Sequence, residues 1–245
     1  RYLGGLLRGD FGPSFQYKDF TVTELILGGF PTSLMIGGIA MAIALVLGIG
    51  LGMLAALRQN SAVDYAAMGF TMLGIAVPNF VVAPLLTLVF GLTLRWLPVG
   101  GWGAGAFSPA HMVLPILALA LPQLAAIARL TRGSMIEVLG SNYVRTARAK
   151  GLPERITLTR HAIKATLPPL VSYLGPATAG IITGSIIVEQ IFGIPGIGRY
   201  FVQAALNRDY TLVMGVTIFY GALIILLNLV ADLLYGVLDP KVRYD

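Results

Sequence analysis

The stretch Thr32-Ser-Leu-Met-Ile-Gly-Gly-Ile-Ala-Met-Ala-Ile-Ala-Leu-Val-Leu-Gly-Ile-Gly-Leu-Gly-Met-Leu-Ala-Ala-Leu57 decides the fold class. It runs without an ionisable side chain and exceeds the ~20 residues a helix needs to cross a hydrocarbon core. Working outward from it, no Asp, Glu, Lys or Arg lies between Glu24 and Arg58. The same holds between Asp64 and Arg95, Arg95 and Arg129, Lys164 and Glu189, and Asp209 and Asp232. Five such gaps in succession predict five transmembrane helices, near Thr32–Leu57, Ala66–Leu94, Met112–Thr131, Leu167–Val188 and Thr211–Tyr235. Pro78, Pro84, Pro115, Pro122 and Pro176 fall inside them. Membrane helices tolerate proline because neighbouring groups satisfy the freed carbonyls.

Composition agrees. Hydrophobic residues make up 56% of the 245 and charged residues 11%, with a mean hydropathy of +0.81. A soluble domain carries roughly 25% charged residues, so a soluble globular enzyme and a disordered tail are excluded. Cysteine is absent, which removes disulfide scaffolds, thiol catalysis and cysteine-held metals or iron–sulfur clusters. The expected class is an all-α membrane protein. Its parts are an extracytoplasmic segment over 1–31, a transmembrane domain over 32–236 that contains a cytoplasmic loop at 132–166, and a cytoplasmic tail over 237–245.

Lys and Arg counts set the orientation. Arg58, the eight basic residues of Arg129–Lys164, Lys241 and Arg243 fall on one side. Arg1, Arg8, Lys18, Arg95, Arg199 and Arg208 fall on the other. Eleven against six makes the first side cytoplasmic and places the C-terminus there. An odd number of spans then puts residue 1 outside, so a further N-terminal helix ahead of Arg1 is expected. With Glu137 and Glu154 counted, the Arg129–Lys164 loop carries +6, equal to the net charge of the whole chain. Nothing elsewhere has the aromatic-interleaved basic pattern of a nucleic-acid surface.

That loop is the most informative stretch. Ile136, Leu139, Tyr143 and Ala147 are spaced three, four and four, one apolar stripe on a helix over Met135–Lys150. Gly151 can close the helix in the left-handed conformation. Pro153 and Glu154 suit the first turn of a second helix, ending near Thr166 before Pro168-Pro169. Two amphipathic helices hinged at Gly151-Leu152-Pro153 either lie on anionic lipid or fit a groove on another protein.

The loop's wording, Tyr143-Val-Arg-Thr-Ala-Arg-Ala-Lys-Gly151-Leu-Pro followed by Arg160-His161-Ala-Ile-Lys164, resembles the cytoplasmic loop of binding-protein-dependent ABC importer permeases. Arg145 stands where that family's general pattern has Glu, and Lys164 stands near its closing Pro. Both departures resemble the oligopeptide-permease B-subunit branch. So do Gly9-Asp-Phe-Gly-Pro-Ser14 with Tyr17-Lys-Asp19, Pro78-Asn-Phe-Val-Val-Ala-Pro84, Thr131-Arg-Gly-Ser-Met135, Val188-Glu-Gln-Ile-Phe-Gly-Ile-Pro-Gly-Ile-Gly198 and Leu206-Asn-Arg-Asp-Tyr210. Members of that branch have six helices, which matches the missing first helix.

The resemblance implies a multi-pass permease of the bacterial inner membrane that forms half of a translocation path for oligopeptides. Dipeptides, murein peptides and chelated nickel are the alternative cargoes. Implied partners are a C-type permease subunit, two cytoplasmic ATPase subunits and an extracytoplasmic peptide-binding protein. ATP and Mg would be held by the ATPases, because no G-x-x-x-x-G-K-[ST] phosphate loop occurs here. The chain itself is expected to be neither an enzyme nor a metal protein. Coupling to the ATPases is expected of Arg145, Ala147, Arg148, Lys150, Gly151, Leu152, Glu154 and His161.

For the path itself the candidates are Asn79, beside a helix-breaking Pro78, and Glu189, a carboxylate at the end of a span. Glu189 would face the cargo's amino terminus or the binding protein, or sit as an interfacial charge in water. Asn228 and Asp232, one turn apart, are expected to hydrogen-bond between helices. An ATP-independent secondary transporter is the reading from another class. It would need ionisable groups near the midplane, where the gaps offer only His111, at a span edge.

Overall fold

The computed structural model describes residues 2–6, 8–103 and 108–238. Arg1 and the end of the tail, with Lys241 and Arg243, lie outside the described residues. Nearly everything described is helical. The helices are α1 (Tyr2–Leu6), α2 (Val22–Leu57), α3 (Ala62–Ala76), α4 (Asn79–Leu86), α5 (Pro109–Leu139), α6 (Asn142–Ala149), α7 (Glu154–Ile156), α8 (Ile163–Phe192), α9 (Ile197–Leu206) and α10 (Tyr210–Leu238). A π-helical turn, Thr87–Thr93, extends α4, and another, Thr157–Ala162, joins α7 to α8.

Four helical runs are long and apolar enough to cross a membrane, Val22–Leu57, Pro109–Leu139, Glu154–Phe192 and Tyr210–Gly236. A fifth is counted if the bent pair Ala62–Ala76 and Asn79–Thr93 is one span. Their apolar side chains project outward, with Val46, Met72 and Ile225 each more than 70% exposed. A water-soluble surface does not carry apolar patches on this scale.

Three expected boundaries change. First, α2 opens at Val22 instead of Thr32, because Thr21 and Glu24 form a capping box. Glu24 Oε2 accepts the Thr21 N–H at 2.8 Å, and Thr21 Oγ1 accepts the Glu24 N–H at 3.2 Å. Second, the span expected over Ala66–Leu94 is broken. α3 ends at Ala76, Val77 and Pro78 are extended, and α4 restarts at Asn79, since the residue before a proline is pushed out of the helical region. Third, the second loop helix does not stop before Pro168-Pro169 but continues to Phe192. The two prolines leave the carbonyls of Lys164 and Ala165 without their helical donors, which a membrane helix accommodates.

The chain divides into two compact units. Unit 1 comprises Arg1–Ala40, Pro78–Leu119 and Thr178–Leu226. In it, α2 meets the Gly196–Ile197 backbone at Gly29, where a Cβ would lie 2.9 Å from the Ile197 nitrogen. Phe30 and Phe219 pack edge to face at 5.0 Å.

Unit 2 comprises Met41–Val77, Ala120–Ala177 and Leu227–Asp245. Here Gly48 and Gly52 of α2 let its backbone approach α5; a Cβ on Gly52 would fall on the Ala128 carbonyl and Thr131. Small residues one turn apart serve membrane helices this way, because close backbone contact replaces the hydrophobic drive that lipid removes. A cluster of Ala56, Met135 and Ala162, ringed by Ile136, Val138, Leu139 and Leu158, closes the core beneath the loop.

Candidate functional site

The loop is an elbow whose bend is fixed by backbone geometry. The expected single helix over Met135–Lys150 is instead two. α5 ends at Leu139, Gly140 and Ser141 form a turn, and α6 begins at Asn142. The buried stripe shifts accordingly. Val144 and Ala147 are buried, whereas Tyr143 is 47% exposed.

At the other end of α6, Gly151 adopts φ +74°, as its sequence context predicts. Its N–H donates to the Arg148 carbonyl at 2.9 Å and the Leu152 N–H donates to the Ala147 carbonyl at 3.3 Å. Those two bonds make a Schellman closure. Pro153 then caps α7 in an extended conformation.

Across the bend, Arg148 grips Glu154 with two contacts, Nη2 to Oε1 at 2.6 Å and Nε to Oε2 at 3.2 Å. The Arg148 guanidinium is therefore committed within the chain. Arg145, Lys150, Gly151 and Leu152 lie on the exposed side, Ala147 faces inward, and His161 is half-buried in the π-helical turn. The elbow thus presents two cations, a glycine turn and an apolar tip, Leu152, on a scaffold whose bend needs no partner.

Glu189 sits elsewhere than its sequence reading placed it. It is fully buried and both carboxylate oxygens are engaged. Oε2 accepts the Gly198 N–H at 2.8 Å and Oε1 lies 2.7 Å from Ser185 Oγ. Ser33 of α2 accepts the Ile197 N–H at 3.0 Å. Ile197 and Gly198 open α9, so a serine from α2 and a carboxylate from α8 cap it jointly. The carboxylate faces neither cargo nor interfacial water in this arrangement, because the first turn of α9 covers it.

Asn79 begins α4 at the break, with its Oδ1 buried and unpartnered within the chain. Asn228 packs on Gly175, where a Cβ would meet its Oδ1 at 3.0 Å, and that oxygen also lacks a partner. Asp232, one turn further along the same helix, is exposed, so the interhelical hydrogen bonds expected of the two are not made by the Asn228 oxygen. Among the described residues no group of three or more His, Asp or Glu could hold a metal ion.

Two constellations escaped the sequence reading. Asp64, 1% exposed, receives Arg132 bidentately at 2.6 Å through both contacts, and Asn60 donates its backbone N–H to the same carboxylate at 2.9 Å. The available signal was Ser61-x-x-Asp64, a capping pattern at the head of α3.

The second joins two motifs noted separately in the sequence. Asp209 accepts Ser14 Oγ at 2.5 Å and the Gln16 N–H at 3.0 Å, and it caps α10 by accepting the Leu212 N–H at 3.1 Å. Burial raises the Asp209 pKa, but these donors and Thr211 outweigh it and hold the carboxyl at about 2. Tyr17 reinforces this clasp through Gln203 Oε1 at 2.6 Å and an edge-to-face contact with Tyr200.

Residues 48–244 match the family described as binding-protein-dependent transport system inner membrane component, and the chain belongs to that family. It is accordingly a permease component of an ABC importer, multi-pass in the inner membrane. Among its relatives, the oligopeptide transport system permease protein OppB of Salmonella typhimurium is 57% identical over 243 residues, covering 99% of this chain and 79% of that protein. OppB of Haemophilus influenzae is 53% identical over the same shares. The dipeptide permease DppB of Bacillus subtilis is 45% identical, over 99% of this chain and 77% of that protein.

The inward-facing MetNI methionine ABC transporter superposes with a TM-score of 0.75 at 15% identity, covering 88% of this chain and 96% of that one. An amino acid ABC transporter gives 0.64 at 17% identity, with 99% of each chain covered. At these identities the structures share the fold.

Proposed function

We propose that this chain is the B-type permease subunit of an ATP-driven oligopeptide importer, pairing with a C-type permease to enclose the path. Two cytoplasmic ATPase subunits bind ATP and Mg and supply the energy, and an extracytoplasmic binding protein delivers the cargo. The C-terminus and the elbow face the cytoplasm, as the distribution of Lys and Arg favours. The observation that carries this reading is the Gly151 elbow. It is a self-closed, exposed bend with Arg145, Lys150 and Leu152 projecting from it, suited to a groove on a partner protein.

ATP binding draws the two ATPases together. The elbow, seated in a cleft of one of them, moves with it and shifts the spanning helices between inward and outward access. A bend closed by its own backbone bonds can transmit such a displacement without first folding on its partner. Cargo choice rests with the binding protein, because peptides vary in side chain and a path that passes them all holds few specific groups; Asn79, at a helix break and with an unpartnered buried oxygen, is the candidate for one of them.

The test is co-expression with the four partners, purification on a tag carried by this chain, and peptide uptake in proteoliposomes. Recovery of both ATPases and uptake that depends on ATP and on the binding protein are expected. Uptake that persists without the ATPases would instead establish a secondary transporter.

A further inference from the structure

The burial of Glu189 on α8 and its bond to the first turn of α9 reach beyond packing. A fully buried carboxylate is strongly unfavourable unless its oxygens are satisfied. Here that requirement is met by the backbone of a different helix. The Gly198 N–H reaches Oε2 at 2.8 Å, while the neighbouring Ile197 N–H goes to Ser33.

Gly196 and Gly198 make this approach possible. A Cβ on Gly196 would fall on the Glu189 carboxylate itself, and one on Gly198 would fall on Ile186 and lie 2.9 Å from Glu189 Oε2. α9 has no side-chain cap of its own. Its first turn is therefore held to α2 by Ser33 and to α8 by Glu189. Its other face carries Tyr200 and Gln203, which hold Tyr17 of the N-terminal segment, and Asp209 beyond its end holds Ser14. Phe15 and Phe20, on the segment so held, are each more than half exposed.

We infer that Glu189 is a positioning residue for transport. It anchors α9 to α8 while Ser33 anchors it to α2, and together they pass the force of binding-protein docking on the α9 and N-terminal surface to these two spanning helices. The inference rests on the proposed importer reading, in which this surface is extracytoplasmic. It separates two quantities that a merely stabilising residue would change together. Loosening the anchor leaves ATP hydrolysis by the assembled complex in place but uncouples it from the binding protein.

The experiment uses the complete complex in lipid nanodiscs and measures ATP hydrolysis with and without peptide-loaded binding protein. Glu189→Ala is expected to lower the stimulated increment about tenfold, the scale of losing a hydrogen bond to a charged acceptor, while basal hydrolysis stays within about twofold. Glu189→Gln keeps an acceptor for Gly198 and a donor for Ser185, and is expected to restore most of the stimulation.

Ser33→Ala removes the Ile197 acceptor, together with a long 3.5 Å bond to the Gly29 carbonyl of its own helix, and is expected to show a smaller loss in the same direction. It decides the matter if Glu189→Ala fails to assemble. Full stimulation in the alanine variants would overturn the inference, and so would a parallel fall of basal and stimulated rates. Glu189→Gln behaving as alanine would do the same. If the unaltered complex shows no stimulation by any binding protein, the importer reading fails instead.

Discussion

Arg132 reaches Asp64 through two contacts of 2.6 Å, and the two side chains differ sharply in access to solvent, 26% for the arginine and 1% for the aspartate. The asymmetry predicts unequal costs. Arg132→Met strands a buried carboxylate, whereas Asp64→Ala leaves a guanidinium that can turn outward. Breaking a buried pair costs about 3–5 kcal/mol, so Arg132→Met should sit within that range and Asp64→Ala below it. The double variant Asp64→Leu/Arg132→Met should recover much of the loss. Thermal unfolding of the purified complex reads all three, and a larger cost for Asp64→Ala would contradict the geometry.

Gly151 is open on its Cβ side, with nothing within 4 Å, yet its φ of +74° disfavours any side chain. Space and backbone thus make opposite predictions, and the backbone should win. A left-handed non-glycine residue costs about 1–2 kcal/mol, more when β-branched and less for asparagine. Peptide uptake should fall in the order Gly, Asn, Ala, Val, with the Gly151→Val variant reduced at least about tenfold. Membrane insertion, followed by protease accessibility, should be unchanged. A valine variant with normal uptake would detach the elbow from coupling.

The gaps between charges revealed the spans because hydrocarbon excludes charge along a whole helix, a signal no single residue can mask. The elbow was equally legible, since only a few residues tolerate the backbone that Gly151 adopts. What stayed hidden were relations between distant segments. Glu189 reads as a pore carboxylate from its place at a helix end, and nothing local shows that Gly198, nine residues on, folds back over it. Likewise Ser14 and Asp209 lie 195 residues apart. Their neighbouring motifs carried the family resemblance without indicating that they touch. The break at Pro78 was visible as chemistry, but a charge-free run of residues on either side disguised the bent pair as one continuous helix.

The Arg148–Glu154 pair crosses the bend in solvent, with side chains 42% and 53% exposed. Exposed pairs contribute little to stability, and salt screens them. Its expected role is to orient the elbow, so the measurable effect lies in coupling and leaves the melting temperature almost unmoved. Glu154→Gln should lower uptake modestly, and the exchange Arg148→Glu/Glu154→Arg should recover part of it. If the exchange is worse than either single change, Arg148 instead meets an acidic partner directly.

Asp209 gives a prediction in pH. Its carboxyl titrates near 2 in the folded chain against an ordinary value of 3.8. A depressed folded pKa means that the unfolded state binds the proton first as the medium is acidified. The stabilisation is therefore complete above about pH 4 and disappears as pH falls through 2. A shift of this size corresponds to roughly 2 kcal/mol at neutral pH. Asp209→Asn retains an oxygen that can still cap Leu212 but loses the charge that attracts Ser14 and the Gln16 N–H. Between pH 4 and 2, unfolding of the unaltered protein should become steeply easier, and the asparagine variant should show a shallower slope. Parallel profiles for the two would locate the acid sensitivity in another carboxylate.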